Sequence, residues 1–374
     1  VRLFIDDEIF HRHARGGVTR YLCELARAAA RQPGVQVVLF GGWCQSKVIR
    51  ELHATDQLQL VFKPRDLKVR VNGVAWVLST WWRRRTFAAT LRADPETVYH
   101  PGLYAWDPWI AQRAPKLVAT VYDMQLEVQG ARSRATQRQV REKAAVCARA
   151  DHIFCISDST RRDLERLVPA AIGKTSVAHL GADLAPPRAG GRTGGAPFFV
   201  MVGGRHSYKN GRLALEAFAE VAAQHPDVRL KLCGGPPPGT DGELDFAGAD
   251  AIRGRIDWEQ PDDRALATAY ANAVALVYPS TYEGFGLPIL EAMICDCPVV
   301  TTTSSSLPEV GGEAALYFAP TDRAQLVAHL RRLLGDAAFR AERVARGREQ
   351  AKKFSWDQTA AKVVGVCRGL FAGG

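Results

Sequence analysis

Short, continuous apolar runs recur along the chain, separated by stretches whose apolar positions repeat with a helical period. Runs at 2–5, 35–40, 97–99, 117–121, 152–156 and 175–179 predict strands. Residues 19–31 predict a helix with Tyr21, Leu22, Leu25 and Ala29 on one face. Such strands, alternating with helices, predict a parallel sheet covered on both faces. Residues 185–197 (APPRAGGRTGGAP) break the pattern and read as a linker rich in Pro and Gly. The alternation then restarts, with strands at 198–202, 229–233, 274–278 and 298–301. Helices are predicted at 211–223 and 265–273, and from 287 onward. The expectation is an α/β protein of two doubly wound Rossmann-like domains, 1–185 and 197–355, with 356–374 as a final helix. Two such domains in tandem are expected to face each other across a cleft, with a ligand site at the carboxyl ends of the strands.

Length agrees with this division, since 374 residues exceed what one core usually serves. Charge adds an asymmetry. The net charge is +10, yet residues 1–190 hold 29 Lys and Arg against 18 Asp and Glu, a surplus of 11. The remainder holds 20 against 21, a deficit of one, so the first domain is expected to meet something anionic. Within it, TWWRRR (residues 80–85) follows Lys63, Arg65, Lys68 and Arg70. Aromatic residues beside cations suit an anionic membrane surface; a helix with buried tryptophans and solvated arginines reads equally well. No apolar stretch is long enough to predict a transmembrane helix. Asp6, Asp7 and Glu8 interrupt the first strand's exit and argue against a signal peptide. Eight scattered cysteines without a C-x-x-C pair fit a reduced, cytoplasmic protein. No helix-turn-helix, zinc-finger or RNP string is present, so nucleic acid is not an expected partner.

The densest chemical signal is YPSTYEGFGLPILEAMICDCPV, residues 278–299. A buried strand leads into a loop with Glu283, Gly284, Phe285 and Gly286, and Leu287-Pro288 opens a helix carrying Glu291. Proline is tolerated in a first helical turn. The glycines let backbone N–H groups approach a ligand, and the helix N-terminus favours an anion. A second candidate is VGGRHSYKN, residues 202–210, where Arg205 and Lys209 precede a helix and could neutralise a diphosphate. In the first domain, Gly16-Gly17 lies between the first strand and helix, and Tyr122-Asp123 ends the strand LVATV. His100, in YHPGLY, is either a cleft residue or a hydrogen-bonded structural one.

E-G-F-G-L-P-x-L-E, followed by C-P-V-V and S-S-L-P-E-V-G-G-E-A-A, resembles the signature of retaining GT-B glycosyltransferases of family 4. The resemblance implies that Glu283 contacts the donor sugar and Glu291 the ribose. It implies that Gly284, Phe285, Gly286 and Leu287 supply backbone donors, and that Arg205 and Lys209 meet the diphosphate. Gly16 and Gly17 match the family's glycine loop. Many relatives carry His-Asp where this chain has Tyr122-Asp123. Tyr-Asp-Met, G-G-V-x-R-Y and Y-K-N are closer to a bacterial surface-polysaccharide branch, often mannosyltransferases. Phe354-Ser355-Trp356 before the final helix implies that this helix packs back on the first domain. The implied enzyme moves a hexose, mannose favoured, from a nucleotide-diphosphate sugar to a glycan or lipid-linked acceptor. GDP-mannose is the favoured co-substrate, with UDP-sugars and dTDP-rhamnose still open. No Asp-x-Asp lies at a strand end, so neither metal nor cofactor is expected. The implied location is cytoplasmic, at the inner face of the membrane. The alternatives are a GT-B sugar-nucleotide epimerase and a non-catalytic membrane-associated scaffold.

Overall fold

The computed structural model describes residues 1–12, 16–42, 52, 54–62, 73–184, 195–204, 207–235 and 250–372. The chain divides into two compact units, Val1–Leu180 with Trp356–Gly374, and Gly181–Ser355. Most of the predicted linker, Arg205, and the cations Lys63, Arg65, Lys68 and Arg70 lie outside the described residues. No helix among the described residues is long and apolar enough to cross a membrane.

The first unit is built on strands β1 (Arg2–Ile5), β2 (Gln36–Gly42), β3 (Leu58–Phe62), β4 (Thr97–His100), β5 (Lys116–Val121), β6 (His152–Cys155) and β7 (Thr175–Val177). Their order is β3-β2-β1-β4-β5-β6-β7, and every pairing is parallel. Leu3, Phe4 and Ile5 are consecutive and all buried, as a central strand covered on both faces requires. The Gly17–Ala30 helix turns Tyr21, Leu22, Leu25, Ala26 and Ala29 inward. The Trp356–Gly369 helix also belongs to this unit. Trp356 packs on Tyr21 with ring centroids 6.2 Å apart, and Arg31 meets Asp357 at 2.6 Å.

Between β1 and β4 the order of winding reverses, and a polar cluster fills that point. Asp6 accepts hydrogen bonds from the Tyr99 hydroxyl and, at 2.8 Å, from the Gly102 N–H. A Cβ on Gly102 would lie 2.8 Å from the Asp6 carbonyl oxygen, so no larger residue fits there. Burial raises the Asp6 carboxyl above the usual range, partly offset by Arg83.

The Gly73–Ala93 helix braces this cluster, and here one reading of TWWRRR is overturned. Arg83 reaches Asp7 at 3.1 Å and Asp107 at 3.3 Å, and Arg84 reaches Asp107 at 3.1 Å. The tryptophans take the solvent side instead, Trp81 being 53% and Trp82 41% exposed. Buried tryptophans with solvated arginines would need the opposite arrangement. The acidic residues at the β1 exit and at position 107 draw Arg83 inward, while Arg84 stays 40% exposed and Arg85 lies at the surface.

The second unit has β8 (Phe198–Val202), β9 (Arg229–Cys233), β10 (Ile256–Glu259), β11 (Ala275–Tyr278), β12 (Val299–Thr302) and β13 (Leu316–Phe318). Their order is β10-β9-β8-β11-β12-β13, again parallel throughout. The Gly211–Ala222 and Arg323–Gly335 helices pack Leu215, Phe218, Leu326 and Leu330 over Phe199, Val277 and Val300. Here the reversal falls between β8 and β11.

Asp107 also caps the Pro108–Arg113 helix, accepting from the Trp109 N–H at 2.9 Å. Burial pushes its carboxyl up, but Arg84 and Arg83 pull harder and hold it below the usual range. Asp107→Ala removes the cap, worth about 1 kcal/mol, takes from Arg84 its carboxylate partner and leaves Arg83 with Asp7 alone. Neither arginine is then left as an unpaired buried charge, so a loss of about 1–3 kcal/mol is expected in urea unfolding at neutral pH. Because the folded carboxyl is depressed, its contribution is present above the ordinary carboxylate pKa and is lost as pH falls through the folded value. The gap between wild type and variant should therefore close in acid. A variant as stable as wild type at pH 7 would show that the arginines are not held by this carboxylate.

Candidate functional site

β8 and β11 are neighbours in the sheet but far apart in sequence, and the chain leaves them toward the same end. The loop after β8 runs through Gly203-Gly204 to a single turn, Ser207–Lys209, before the Gly211–Ala222 helix. The loop after β11 runs from Pro279 to Gly286, where the Leu287–Ile294 helix begins with Pro288 in its first turn. Backbone ties these loops together, since the Thr281 N–H donates to the Tyr208 carbonyl at 2.7 Å. Gly286 has φ 109°, a conformation that favours glycine, and a Cβ there would stand 3.1 Å from the Leu307 side chain, which would have to give way.

This geometry brings Lys209 and Glu283 into contact across 74 residues of chain. The ammonium Nζ donates to Glu283 Oε1 at 2.6 Å and to the Tyr278 hydroxyl at 3.0 Å. Both charged side chains are largely withdrawn from water, at 16% and 13% exposed. Lys209 also lies over the rings of Tyr208 and Tyr278, at 5.2 and 5.0 Å from their centroids. Burial, then the Glu283 charge, hold the Tyr278 phenol well above its ordinary pKa, so it stays neutral and can accept from the ammonium. A pocket adjoins this pair, lined by Gly203, Gly204, Lys209, Cys233, Tyr278 and Ser280 among others.

The other candidates in this unit occupy distinct places. Glu291 faces inward from the Leu287–Ile294 helix, where the Tyr270 hydroxyl donates to it at 3.3 Å. Phe285 is buried with its ring edge-on to Phe354, centroids 5.8 Å apart, so only its backbone is available to a ligand. Gly284 and Gly286 flank it, and Leu287 is the first residue of the helix. Arg205 lies outside the described residues.

In the first unit, Gly16 is the extended residue before the Gly17–Ala30 helix, and no atom lies within 4 Å of a Cβ built on it. Tyr122 follows β5 and is buried. Its hydroxyl is 3.5 Å from the Gly102 carbonyl and its ring packs edge-on against Tyr21. Asp123 accepts from the Gln125 N–H at 3.0 Å. His100 is fully buried, with Nε2 2.9 Å from the Thr120 hydroxyl. Burial lowers its pKa to about 4, so it is neutral at pH 7 and the structural reading holds.

Sequence reasoning missed two supporting residues. Tyr278 looked like the last apolar residue of a strand, and nothing in the sequence joined it to Lys209. Lys143 is buried on the Arg134–Arg149 helix. It donates to the Asp123 carbonyl at 2.8 Å and to Glu127 at 3.0 Å, so it holds the loop after β5 from below. A lysine among apolar positions on a helix was the available signal.

Solved structures place this architecture in a class. Sucrose-phosphate synthase from Thermosynechococcus elongatus superposes with a TM-score of 0.74 at 22% identity, over 100% of both chains. Anabaena HepE, in complex with UDP and glucose, gives 0.72 at 15% identity, covering 98% of each. The fold is that of the GT-B glycosyltransferases. Residues 15–186 match the family model for Glycosyltransferase Family 4, and residues 187–354 that for Glycosyl transferases group 1. Between them the two matches take in most of the sequence, and the chain is a glycosyltransferase built of these group 1 and family 4 domains. The O-antigen chain mannosyltransferase B of Escherichia coli is 48% identical over 102 residues, which is 27% of this chain and 27% of that protein.

An anion approaching Lys209 must compete with Glu283. Lys209→Ala is expected to weaken binding of a nucleoside diphosphate about 10–100-fold, the usual worth of a charged hydrogen bond, in calorimetric titration. Glu283→Gln should tighten it, because the ammonium loses its competing carboxylate. Unchanged affinity in Lys209→Ala would return this lysine to the role of an internal ion-pair partner.

Proposed function

We propose that the chain is a retaining, metal-independent glycosyltransferase that moves a hexose, with mannose favoured, from a nucleotide-diphosphate sugar. The acceptor is a glycan or a lipid-linked saccharide in polysaccharide biosynthesis. The observation that carries this reading is the Lys209–Glu283 pair beside Gly203-Gly204, at the carboxyl ends of β8 and β11. A doubly wound sheet binds ligands at such a reversal point. Lys209, with Arg205, meets the diphosphate, together with the helix that starts at Leu287. Glu283 turns to a sugar hydroxyl, and Glu291 takes the ribose. Gly16 and Gly17 leave room for phosphate or sugar to approach backbone, and Tyr122-Asp123 supplies the first domain's contact to the sugar. The mannosyltransferase relative and the UDP-bearing neighbour support the donor class, and GDP-mannose is the donor of choice.

In the reaction, the bond from the anomeric carbon to the leaving diphosphate oxygen breaks. A bond to the acceptor oxygen forms on the same face, and the departing phosphate takes the acceptor proton. Lys209 stabilises the charge that develops on the diphosphate. A screen of nucleotide sugars, with and without lipid-linked acceptors, tests the whole reading. The expected result is acceptor-dependent transfer from GDP-mannose, with an α-linked product by NMR and undiminished turnover in excess EDTA. Loss of turnover restored by Mg²⁺ would overturn metal independence, and a sugar altered without any acceptor would point to an epimerase.

We further propose that the first unit works at an anionic membrane surface, the cytoplasmic face in a bacterial cell. The support is a face of the Gly73–Ala93 helix on which Val77, Leu78, Trp81 and Trp82 are exposed, with Arg85 over the Trp81 ring at 5.5 Å. Aromatic edges of this kind bury at the headgroup boundary. The double change Trp81→Ser and Trp82→Ser should abolish the salt-resistant part of sedimentation with anionic liposomes while leaving nucleoside diphosphate binding intact. Sedimentation equal to wild type would remove this helix from the membrane reading.

A further inference from the structure

The loop that carries Glu283 is fastened by a run of hydroxyls on the next strand. Thr301 Oγ1 donates to the Tyr278 carbonyl at 2.7 Å, and Thr302 Oγ1 to the Ser280 carbonyl at 2.6 Å. Beyond β12 the same role passes to two serines. Ser305 Oγ accepts from the Glu283 N–H at 2.8 Å. Ser306 Oγ is 2.9 Å from the Glu283 carbonyl and 2.8 Å from that of Phe285, donating one shared proton. Glu283 is thus held at its N–H and at its C=O by the side chains of two adjacent residues. Ser306 is fully buried. Ser305 has φ 47°, a left-handed conformation that non-glycine residues keep only when their surroundings impose it.

We propose that Ser305 and Ser306 are positioning residues for Glu283. They fix its backbone so that the carboxylate moves between Lys209 and the donor sugar by side-chain rotation alone, without remodelling the loop. This rests on the proposed contact between Glu283 and the sugar. Neither an ionised carboxylate nor an apolar residue at 306 could donate to the two carbonyls in this way. The paired serines before Leu307-Pro308 therefore have a stereochemical reason to be serines.

The test is a double-mutant cycle in kcat with Ser306→Ala and Glu283→Ala. Ser306→Ala alone should lower kcat about 100-fold, the scale expected when a reacting group is misplaced by about 1 Å. Nucleoside diphosphate affinity should stay within about twofold of wild type, since Lys209 and Glu291 are untouched, whereas the added affinity conferred by the sugar should disappear. In the Glu283→Ala background, Ser306→Ala should cost nothing further. A merely structural serine would exact the same factor in both backgrounds, and that result overturns the proposal. Normal kcat in Glu283→Ala alone removes the assignment of Glu283 itself and the positioning role with it, so the two failures are distinct. Should Ser306→Ala fail to fold, Ser305→Ala, which loses only the bond to the Glu283 N–H, is expected to show the same epistasis.

Discussion

When the winding of a parallel sheet reverses, the loops leaving the two strands at the reversal diverge, and the gap between them is where side chains from distant segments can meet. In the second unit that constraint selects the loops after β8 and β11, and with them Lys209 and Glu283. The pair could not form from either loop alone, since each charge would then be buried without its counterion. The Tyr208–Thr281 backbone bond and the Lys209–Tyr278 contact exist because the same two strands are neighbours. The first unit repeats the arrangement between β1 and β4, with Asp6, Tyr99 and Gly102 in the gap.

How much of this could be read from the sequence depended on where each strand lies. The central strands β1, β5, β8 and β11 are apolar on both faces and were legible as unbroken runs. The three strands that escaped notice, β3, β10 and β13, each form an edge of their sheet. An edge strand is covered less completely, so its sequence is free to mix. LQLVF alternates with a polar residue, and every residue of IDWE is only partly buried. The site divides in the same way. Glu283, Lys209 and the glycines around them were visible because charge and glycine at a strand exit have few other uses. Their mutual contact was not visible, and neither was Tyr278, whose role is set by a neighbour 69 residues away.

The basic first half shows why a charge count is not a surface. Arg83 and Arg84 contribute to the surplus of cations, yet both are committed to Asp7 and Asp107. Lys143 is spent on Glu127, and Arg31 on Asp357. Among the described residues of the Gly73–Ala93 helix, Val77, Leu78, Trp81 and Trp82 are exposed together with Arg85 and Arg92. Fewer of its cations are therefore free for an anionic surface than the count of three arginines after two tryptophans suggests. Pairing of Arg83 and Arg84 also links the helix to the β1–β4 gap through Asp7 and Asp107.

The Lys209–Glu283 pair fits both roles assigned to its members in the proposed reaction. As the structure holds them, the two charges neutralise each other in a place with little water, where an isolated charge would be costly. A diphosphate brings more negative charge to Lys209 than a single carboxylate does, and its oxygens can take over the ammonium's hydrogen bonds. The carboxylate then needs a new donor, and a sugar hydroxyl supplies one. The exchange replaces one set of charged hydrogen bonds by another and leaves no charge stranded. It also requires that the Glu283 side chain move while its backbone stays still, which is what two hydroxyls holding the peptide groups on either side of its Cα permit. Lysine, glutamate and serine at this point of the sheet are therefore parts of one arrangement: each tolerates burial only because the others are there.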